Sequence, residues 1–317
     1  MSEPTDPARR PFRFGVQAST APDRRTWIEL ARAAEDLGYS TMTMPDHFGD
    51  QLAPVPALMA AADATTTLRV GALVFDNDYK HPVVLAKELA TMDVLSEGRV
   101  EIGLGAGWMR TDYDAAGMTY DRPGVRVDRF VEGLAVIKGA MADGPFSFQG
   151  EHYSITDYDG LPLPVQRPRP LILIGGGGRR VLTIAAHEAD IVGVNAQLHE
   201  GAVGPEAIAS MTREVVDEKV ALVREQAGER LGEVELSIRT FIVNITDDRS
   251  EALDGVARFL GVDQEMIAAS PFAIVGTTDS IADDLRRRRD ELGFSYVIVG
   301  AEDVRPFAPV VAALAGT

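Results

Sequence analysis

The pair Asp46-His47 lies in the turn Pro45–Phe48, directly after a short run of β-forming residues, Ser40–Met44. A carboxylate beside an imidazole can anchor a ring or move a proton, because histidine titrates near neutral pH. We therefore predict that His47 is the proton donor or acceptor of an active site and that Asp46 orients it or a bound ring. The alternative is a histidine that only caps the next helix or a neighbouring loop.

Two glycine-rich turns follow later β-forming runs. In Gly103–Trp108 (GLGAGW), alternating glycines leave the backbone open to a flat ligand on which Trp108 can stack; the alternative is a tight turn with a packed tryptophan. In Ile174–Arg179 (IGGGGR), free backbone N–H groups at the start of a helix combine with the charge of Arg179. This pattern favours an anion site for phosphate over a purely structural turn.

Composition narrows the class of protein. The formal net charge of −17 argues against a nucleic-acid or anionic-membrane partner, since both need a basic surface. The absence of cysteine excludes disulfides and thiolate chemistry, and no histidines stand at a metal-ligand spacing, so no metal site is predicted. No apolar run reaches the length of a membrane span. We expect residues 1–11 to be a disordered lead-in to a cytoplasmic protein.

The elements that must position these turns alternate between strand and helix. The eight predicted strands are Phe12–Gln17, Ser40–Met44, Leu68–Phe75, Val100–Gly105, Leu171–Gly175, Ile191–Val194, Leu236–Asn244 and Tyr296–Val299. Such alternation is typical of parallel βαβ units, and eight of them predict an α/β (β/α)8 TIM barrel, a fold of about 250 residues plus insertions. We assign residues 12–317 to one such domain, with insertions after strands four and six. Its chemistry belongs at the C-terminal ends of the strands.

Apolar periodicity places the helices and one hairpin between these strands. The predicted helices are Thr26–Leu37, Pro82–Leu95, Val125–Ala142, Arg180–Ala189, Pro205–Leu231, Ser250–Leu260 and Asp279–Leu292. Phe146–Ile155 is predicted to be a hairpin that turns at Gln149-Gly150. His81 precedes a proline at a helix start, so we interpret it as a cap residue.

Taken together, these loops resemble those of the bacterial luciferase-like monooxygenase superfamily, (β/α)8 barrels that use a flavin or a deazaflavin. The matching stretches are FGVQ (Phe14–Gln17), ARAAEDLGYSTMTMPDHF (Ala31–Phe48), HPVVLAKELATMDVLSEGRVEIGLGAGW (His81–Trp108), YDAAGMTYDRPGVRVDRFVEGLAVIK (Tyr113–Lys138), FSFQGEHYSI (Phe146–Ile155) and PLILIGGGGRRVLTIAAHEADIVGV (Pro170–Val194). The nearer resemblance is to the branch that uses coenzyme F420, a deazaflavin, which NDYKHP and PDHF support.

The resemblance implies roles for the loops. The Asp46-His47 pair would lie beside the reactive face of the cofactor ring, and Ala72-Leu73 aligns with a position that often carries a non-prolyl cis peptide behind the ring. The residues implied to bind the cofactor are Asp46, Ala72, Leu73, Ala106, Gly107, Gly176, Gly177, Gly178 and Arg179. The residues predicted to line the substrate pocket are Phe48, Asn77, Tyr79, Trp108 and Tyr113.

One departure from the branch matters for the reaction. Its sugar-phosphate and alcohol dehydrogenases place a catalytic glutamate where this chain has Trp108, and Asp112 is displaced by four residues. A glutamate-assisted alcohol oxidation is therefore not expected in that form.

These features predict an F420-dependent oxidoreductase that transfers a hydride between the deazaflavin and an unidentified small organic substrate. The alternatives are an FMN-dependent two-component monooxygenase, which a separate reductase would supply, and a non-catalytic flavin-binding protein. The resemblance also implies a homodimer.

Overall fold

The computed structural model describes residues 10–198, 201 and 204–317. In these residues the strands are β1 (Arg13–Gln17), β2 (Thr41–Met44), β3 (Arg69–Ala72), β4 (Phe75–Asp76), β5 (Val100–Gly105), β6 (Phe146–Gln149), β7 (Ser154–Tyr158), β8 (Leu171–Gly176), β9 (Ile191–Val194), β10 (Glu235–Arg239), β11 (Ile242–Ile245), β12 (Ala273–Gly276) and β13 (Phe294–Gly300).

The helices of the described residues surround this set of strands. They are α1 (Arg24–Asp36), α2 (Pro54–Asp63), α3 (Pro82–Leu95), α4 (Arg110–Ala116), α5 (Pro123–Ala140), α6 (Arg179–Glu188), α7 (Pro205–Ala209), α8 (Arg213–Ala227), α9 (Arg249–Leu260), α10 (Gln264–Ala269), α11 (Thr278–Leu292) and α12 (Ala308–Leu314), with short 3₁₀ turns at Gly228–Gly232 and Ala301–Asp303. Within the described ranges, no helix combines the length and apolarity that a membrane span requires.

Eight parallel strands close into a barrel and confirm the predicted fold class. They run in the order β1, β2, β3, β5, β8, β9, β10 and β13, and closure comes from pairing of β13 with β1 and of β3 with β5. Chain order and spatial order agree, as expected for a (β/α)8 barrel in which each helix covers the strands that it connects.

Helix α1 shows how the outer layer is specified. Asp23 caps its start, because the side chain accepts from the N–H of Thr26 at 2.8 Å, and Gly38 follows its end with φ of +85°. Trp27 and Ala31 are buried against the barrel. Burial of each large apolar side chain stabilises the fold by about 1.5–3 kcal/mol. The apolar face of α1 therefore determines which side of the helix packs on the barrel.

Three segments interrupt the alternation. After β5, helices α4 and α5 lead into the antiparallel hairpin β6–β7, which confirms the predicted hairpin; its turn is closed by the Gly150 N–H and the Tyr153 carbonyl at 2.9 Å. After β9, the chain forms α7 and α8. After β10, strands β11 and β12 pair with each other outside the barrel and, with α9 and α10, bury a small separate core.

Three predicted elements are wrong in their extent. The run Leu68–Phe75 is not one strand, because β3 ends at Ala72 and β4, which begins at Phe75, pairs with a different part of β5. The run Leu236–Asn244 is not one strand, because Thr240 donates twice to the Ile298 carbonyl and Phe241 then turns to bond the Phe272 carbonyl. The stretch Pro205–Leu231 is not one helix, because its serine and threonine form local bonds that separate α7 from α8.

At the chain's start, residues 1–9 of the predicted lead-in lie outside the described residues. Arg10 is held, since its guanidinium donates to the carbonyls of Gly232 and Glu233.

Candidate active site

His47 lies just after the C-terminal end of β2, and its side chain is hydrogen-bonded to the Asp112 carboxylate in the insertion that follows β5. Its Nδ1 lies 2.7 Å from Oδ2 of Asp112, and the Phe48 N–H donates to the other oxygen of that carboxylate at 3.3 Å. Asp112 lies in the first turn of α4 and is buried. The carboxylate in contact with the imidazole is therefore Asp112 and not Asp46, and the alternative that Asp46 orients a bound ring stays a prediction.

A tyrosine completes this group. The Tyr79 hydroxyl donates to Oδ2 of Asp112 at 3.0 Å, so the carboxylate accepts from both Tyr79 and His47. Burial and the nearby carboxylates raise the pKa of Tyr79 far above its ordinary value, which keeps the phenol a donor. With Asp112 as an acceptor, Nδ1 of His47 carries its proton, and Nε2 is the nitrogen left to accept or return one.

Aromatic rings frame the imidazole at the barrel mouth. Trp108 meets His47 edge to face, with ring centroids 5.5 Å apart. Phe48 is 49% exposed and lies against Tyr79 at 4.3 Å between centroids. Phe48, Tyr79 and Trp108, three of the five predicted pocket residues, thus come together around His47.

The other two predicted pocket residues are buried beneath the mouth, and their assignment needs correction. Asn77 donates to the Tyr153 hydroxyl at 3.3 Å and packs against Gly133 of α5. Tyr113 is fully buried, and its hydroxyl lies 3.0 Å from Oδ2 of Asp78. Both support the loops that line the mouth.

Asp46, Asp76 and Asp78 form a second group of carboxylates. Asp46 accepts from the backbone N–H of Asp76 at 3.2 Å, and Oδ1 of Asp76 accepts from the N–H of Asp78 at 2.9 Å. Burial, reinforced by the charges of Asp78 and Asp46, raises the pKa of Asp76 to about 7. Arg129 compensates part of this negative charge through its ion pair with Asp78 at 2.9 Å.

Gly103 and Gly105 of β5 allow the neighbouring chain to approach closely inside the barrel. A Cβ on Gly103 would lie 1.9 Å from the Ala72 carbonyl oxygen, and one on Gly105 would lie 2.6 Å from the Val74 side chain. The two glycines therefore make room for the strand beside them, which corrects the interpretation that all three glycines of the turn open towards a ligand. The non-prolyl cis peptide is at Leu73-Val74, one bond later than the predicted Ala72-Leu73 position.

Ala106-Gly107 is the part of this turn that reaches the mouth. Both residues are half-buried, and Gly107 has φ of +76°. A Cβ there would lie 2.1 Å from the Tyr113 hydroxyl, so only glycine fits above the acidic group.

The glycine turn after β8 opens a helix that has no side-chain cap. Gly178 is the cap residue of α6, and it offers no side chain to the first-turn N–H groups. A Cβ on Gly177 would lie 2.1 Å from the Ala196 carbonyl oxygen, which shows how closely two backbones approach there. Arg179 is exposed, whereas Arg180 pairs with Asp128. Donors and a positive charge at this helix start fit an anionic group.

Two further polar residues at the mouth end were missed by the sequence analysis. Arg239, at the end of β10, donates through Nε to Oε1 of Gln17 at 2.9 Å. Gln17, at the end of β1, donates in turn to the Leu73 carbonyl at 3.1 Å. The signal was available for Gln17, which ends a predicted barrel strand, where side chains reach the catalytic face. It was not available for Arg239, because the predicted strand Leu236–Asn244 placed that residue in a strand interior.

Comparison with known proteins identifies the family of this chain. The chain belongs to the luciferase-like monooxygenase family, whose model matches residues 10–273. A relative is the FMNH2-dependent dimethylsulfone monooxygenase of Pseudomonas putida, 26% identical over 309 residues that cover 90% of this chain and 80% of the relative.

F420-dependent proteins are also similar to the chain. The F420-dependent glucose-6-phosphate dehydrogenase of Amycolatopsis mediterranei is 27% identical over 161 residues, which cover 48% of each protein. The coenzyme F420-dependent tetrahydromethanopterin reductase of Methanopyrus kandleri has the same fold, with a TM-score of 0.76, 20% identity and coverage of 96% of this chain and 99% of that one. The predicted family resemblance is thereby confirmed, and the family contains users of both cofactors.

Proposed function

We propose that this chain is an F420-dependent oxidoreductase that transfers a hydride between the deazaflavin and a small organic substrate at the barrel mouth. The observation that carries the proposal is the Tyr79–Asp112–His47 group, which holds an acid–base nitrogen at the end of β2. Interconversion of a hydroxyl and a carbonyl needs a proton acceptor beside the hydride acceptor, and an oriented imidazole meets that need.

In this proposal the protein's own groups move one proton. Nε2 of His47 takes the proton of a substrate hydroxyl, or returns it in the reverse direction. Asp112 fixes the tautomer through Nδ1 and stabilises the imidazolium that forms, while Tyr79 holds Asp112 in place. Asp112 is thus a positioning residue, unlike the catalytic glutamate that the branch has at the position of Trp108.

The residues present fit a phosphate-bearing tricyclic cofactor. The uncapped start of α6 and the charge of Arg179 would hold the phosphate, and Ala106-Gly107 would border the ring. When bound, the deazaflavin supplies a carbon that gives or takes a hydride. The rings of Phe48, Tyr79 and Trp108 would exclude water from the substrate.

Cofactor choice is tested by titrating the full-length protein with oxidised F420 and with FMN, followed by absorbance and by quenching of tryptophan fluorescence. We expect F420 to bind at least about tenfold more tightly, a difference of about 1.4 kcal/mol. Tight FMN binding with no measurable F420 binding contradicts the proposal.

A second candidate is an FMNH2-dependent monooxygenase supplied by a separate reductase. It is favoured by the similarity to the dimethylsulfone monooxygenase, which extends over 90% of this chain. The two functions differ in their use of oxygen. Substrate-dependent oxygen consumption with chemically reduced FMN identifies the monooxygenase, whereas anaerobic hydride transfer from reduced F420 to a surrogate quinone or enone identifies the oxidoreductase.

A further inference from the structure

Lys219 of helix α8 is a buried cation close to the glycine turn that follows β8. Its side chain is only 5% exposed, and its Nζ donates to the carbonyls of Asn195 and Ser210, both at 2.8 Å. Among the described residues, this ammonium pairs with no carboxylate. Burial is the only cause that shifts the pKa of Lys219, which is lowered to about 8. The charge is therefore desolvated, and no described residue compensates it.

The Asn195 carbonyl that accepts from Lys219 lies against the glycine turn. A Cβ on Gly177 would lie 2.5 Å from this carbonyl oxygen, which is itself 2.8 Å from Nζ. The Asn195 N–H donates in the other direction, to the Gly176 carbonyl at 2.9 Å. A single carbonyl group thus separates the ammonium of Lys219 from the backbone that leads into α6.

Ser210 holds the same segment at a second point. Its Oγ accepts from the Gln197 N–H at 2.8 Å, while its carbonyl accepts from Lys219. The chain after β9 is therefore fixed at Asn195 and at Gln197. A neutral donor could bond both carbonyls, so these hydrogen bonds alone do not require a lysine. A buried positive charge behind an anion-binding turn has a further effect, because the anion and the charge stabilise each other.

We propose that Lys219 is a positioning residue of the anion site at the start of α6: it holds Asn195 against the glycine turn, and its buried charge favours the phosphate of the cofactor. The inference rests on the proposed function only in placing that phosphate at this turn. It applies to F420 and to FMN alike, because both carry a phosphate. Arg179 should contribute less than Lys219, since solvent and salt screen an exposed charge more than a buried one.

The test compares ligands with and without the phosphate in fluorescence titrations of the full-length protein. The pairs are FMN against riboflavin, and F420 against the same deazaflavin without its phosphate-linked tail. Lys219→Gln keeps an amide donor for the two carbonyls but removes the charge. We expect its affinity for FMN and F420 to fall about tenfold, with unchanged affinity for the phosphate-free ligands. Lys219→Arg keeps the charge and should retain most of the preference for phosphate.

The matched control is Lys138→Gln, which removes a lysine at the opposite end of α6. Its Nζ already pairs with Glu188 at 2.7 Å, so this variant should keep the wild-type preference. Tight FMN binding without F420 binding would contradict the proposed F420-dependent function and leave the role of Lys219 open to the FMN and riboflavin pair.

Loss of the phosphate preference in Lys219→Gln, with riboflavin affinity unchanged, supports the role of Lys219. A wild-type protein that binds both ligands of each pair equally overturns it. So does a Lys219→Gln variant that keeps the wild-type preference, or one that loses affinity equally for both ligands of a pair. If Lys219→Gln fails to fold by far-UV circular dichroism, Lys219→Met and Lys219→Arg decide. Loss of the preference in Lys219→Met alone supports the role, and the same preference in both variants overturns it.

Discussion

At the scale of single residues, the Asp112 carboxylate governs the candidate active site. It accepts from the Phe48 N–H, the Tyr79 hydroxyl and Nδ1 of His47, so both of its oxygens are occupied. Such a carboxylate fixes the direction of the imidazole ring without itself exchanging a proton with substrate. In the proposed function His47 is the residue that contacts the substrate, and its neighbours determine how it is oriented.

Replacement of His47 by alanine tests the proton transfer directly. His47→Ala should lower the rate of single-turnover reduction of a surrogate enone or quinone by about 10²–10⁴-fold, the usual contribution of acid–base assistance. Cofactor affinity should change far less, because the phosphate contacts are elsewhere. An unchanged rate, under conditions in which hydride transfer is limiting, would make His47 part of the scaffold.

Asp112 should act through the orientation of His47, which separate measurement of kcat and KM can reveal. Asp112→Asn keeps the shape of the side chain but leaves one acceptor oxygen instead of two, so the imidazole is held less well and kcat should fall about tenfold or more with little change in KM. Asp46→Asn is the comparison, because Asp46 bonds the Asp76 N–H and not the imidazole. Equal losses of kcat in both variants would argue against a positioning role for Asp112.

The buried carboxyl of Asp76 should make stability depend on pH. Burial raises its pKa from 3.8 to about 7, so the folded protein retains a proton that the unfolded chain releases. This contribution to stability is complete below about pH 4 and is lost as the pH rises through about 7, at most about 4 kcal/mol. Urea unfolding of Asp76→Asn should therefore show a smaller loss of unfolding free energy between about pH 5 and 8 than the wild type shows.

The control for Asp76 is Asp114→Asn, which removes an exposed carboxylate of the nearby helix α4. Its dependence on pH should follow that of the wild type. Parallel curves for the wild type and Asp76→Asn would show that this carboxyl is not protonated in the folded protein near neutral pH.

These residues show what a sequence can and cannot predict about a site. His47 was identifiable because a histidine directly after a barrel strand lies on the catalytic face. Its partner was not, because Asp112 is 65 positions away and enters through an insertion whose path the sequence pattern does not define. Asn77 and Tyr113 were misassigned because polar and aromatic types alone do not distinguish a pocket wall from its buried support.

At the scale of elements, the prediction was most accurate where apolar periodicity and capping agreed. Helix α3 spans Pro82–Leu95 as predicted, since a proline fits its first turn and His81 accepts from the Val83 N–H at its start. The prediction failed where side chains compete for backbone bonds. Ser210 bonds the Ala207 carbonyl, and Thr212 caps α8, so two residues split a periodic stretch.

The glycine turn after β8 is best tested without changing its glycines. A side chain at Gly177 would meet the Ala196 backbone and disturb the fold, whereas Arg179 is exposed. Arg179→Gln should weaken F420 and FMN binding by about two- to fivefold, the contribution of an exposed charge, with an unchanged far-UV spectrum. The matched control is Arg180→Gln, since that guanidinium already pairs with Asp128. Equal affinities in the wild type and Arg179→Gln would assign Arg179 to solvent.

At the scale of the whole molecule, the two ends of the barrel differ in how completely their charged side chains are paired. At the N-terminal end, Arg13 and Arg69 pair with Glu101 and Glu235 beside the Tyr296 ring, and these four charges sum to zero in a cluster that serves stability. At the C-terminal end, Arg239 forms no ion pair with another described residue, and the carboxylates of Asp46, Asp76 and Asp112 cluster on the opposite wall. That asymmetry follows from the fold, which separates stabilising residues from the chemistry of the loops.

An apolar patch on the outer surface should join two copies of the chain. At the end of helix α3, Leu95 is 66% exposed and Val94 39%, and Val165 of the crossing segment lies beside that end at 54%. An exposed apolar patch of this kind marks an interaction surface, and two-fold pairing is the commonest way to cover one. We expect a homodimer at micromolar concentration by light scattering, and Leu95→Glu should shift it to monomer with the fold retained. Phe259→Glu is the control, because that side chain is 87% exposed on α9 and should leave the dimer intact. A monomeric wild-type protein, or a dimer that Leu95→Glu does not weaken, would exclude this face as the interface.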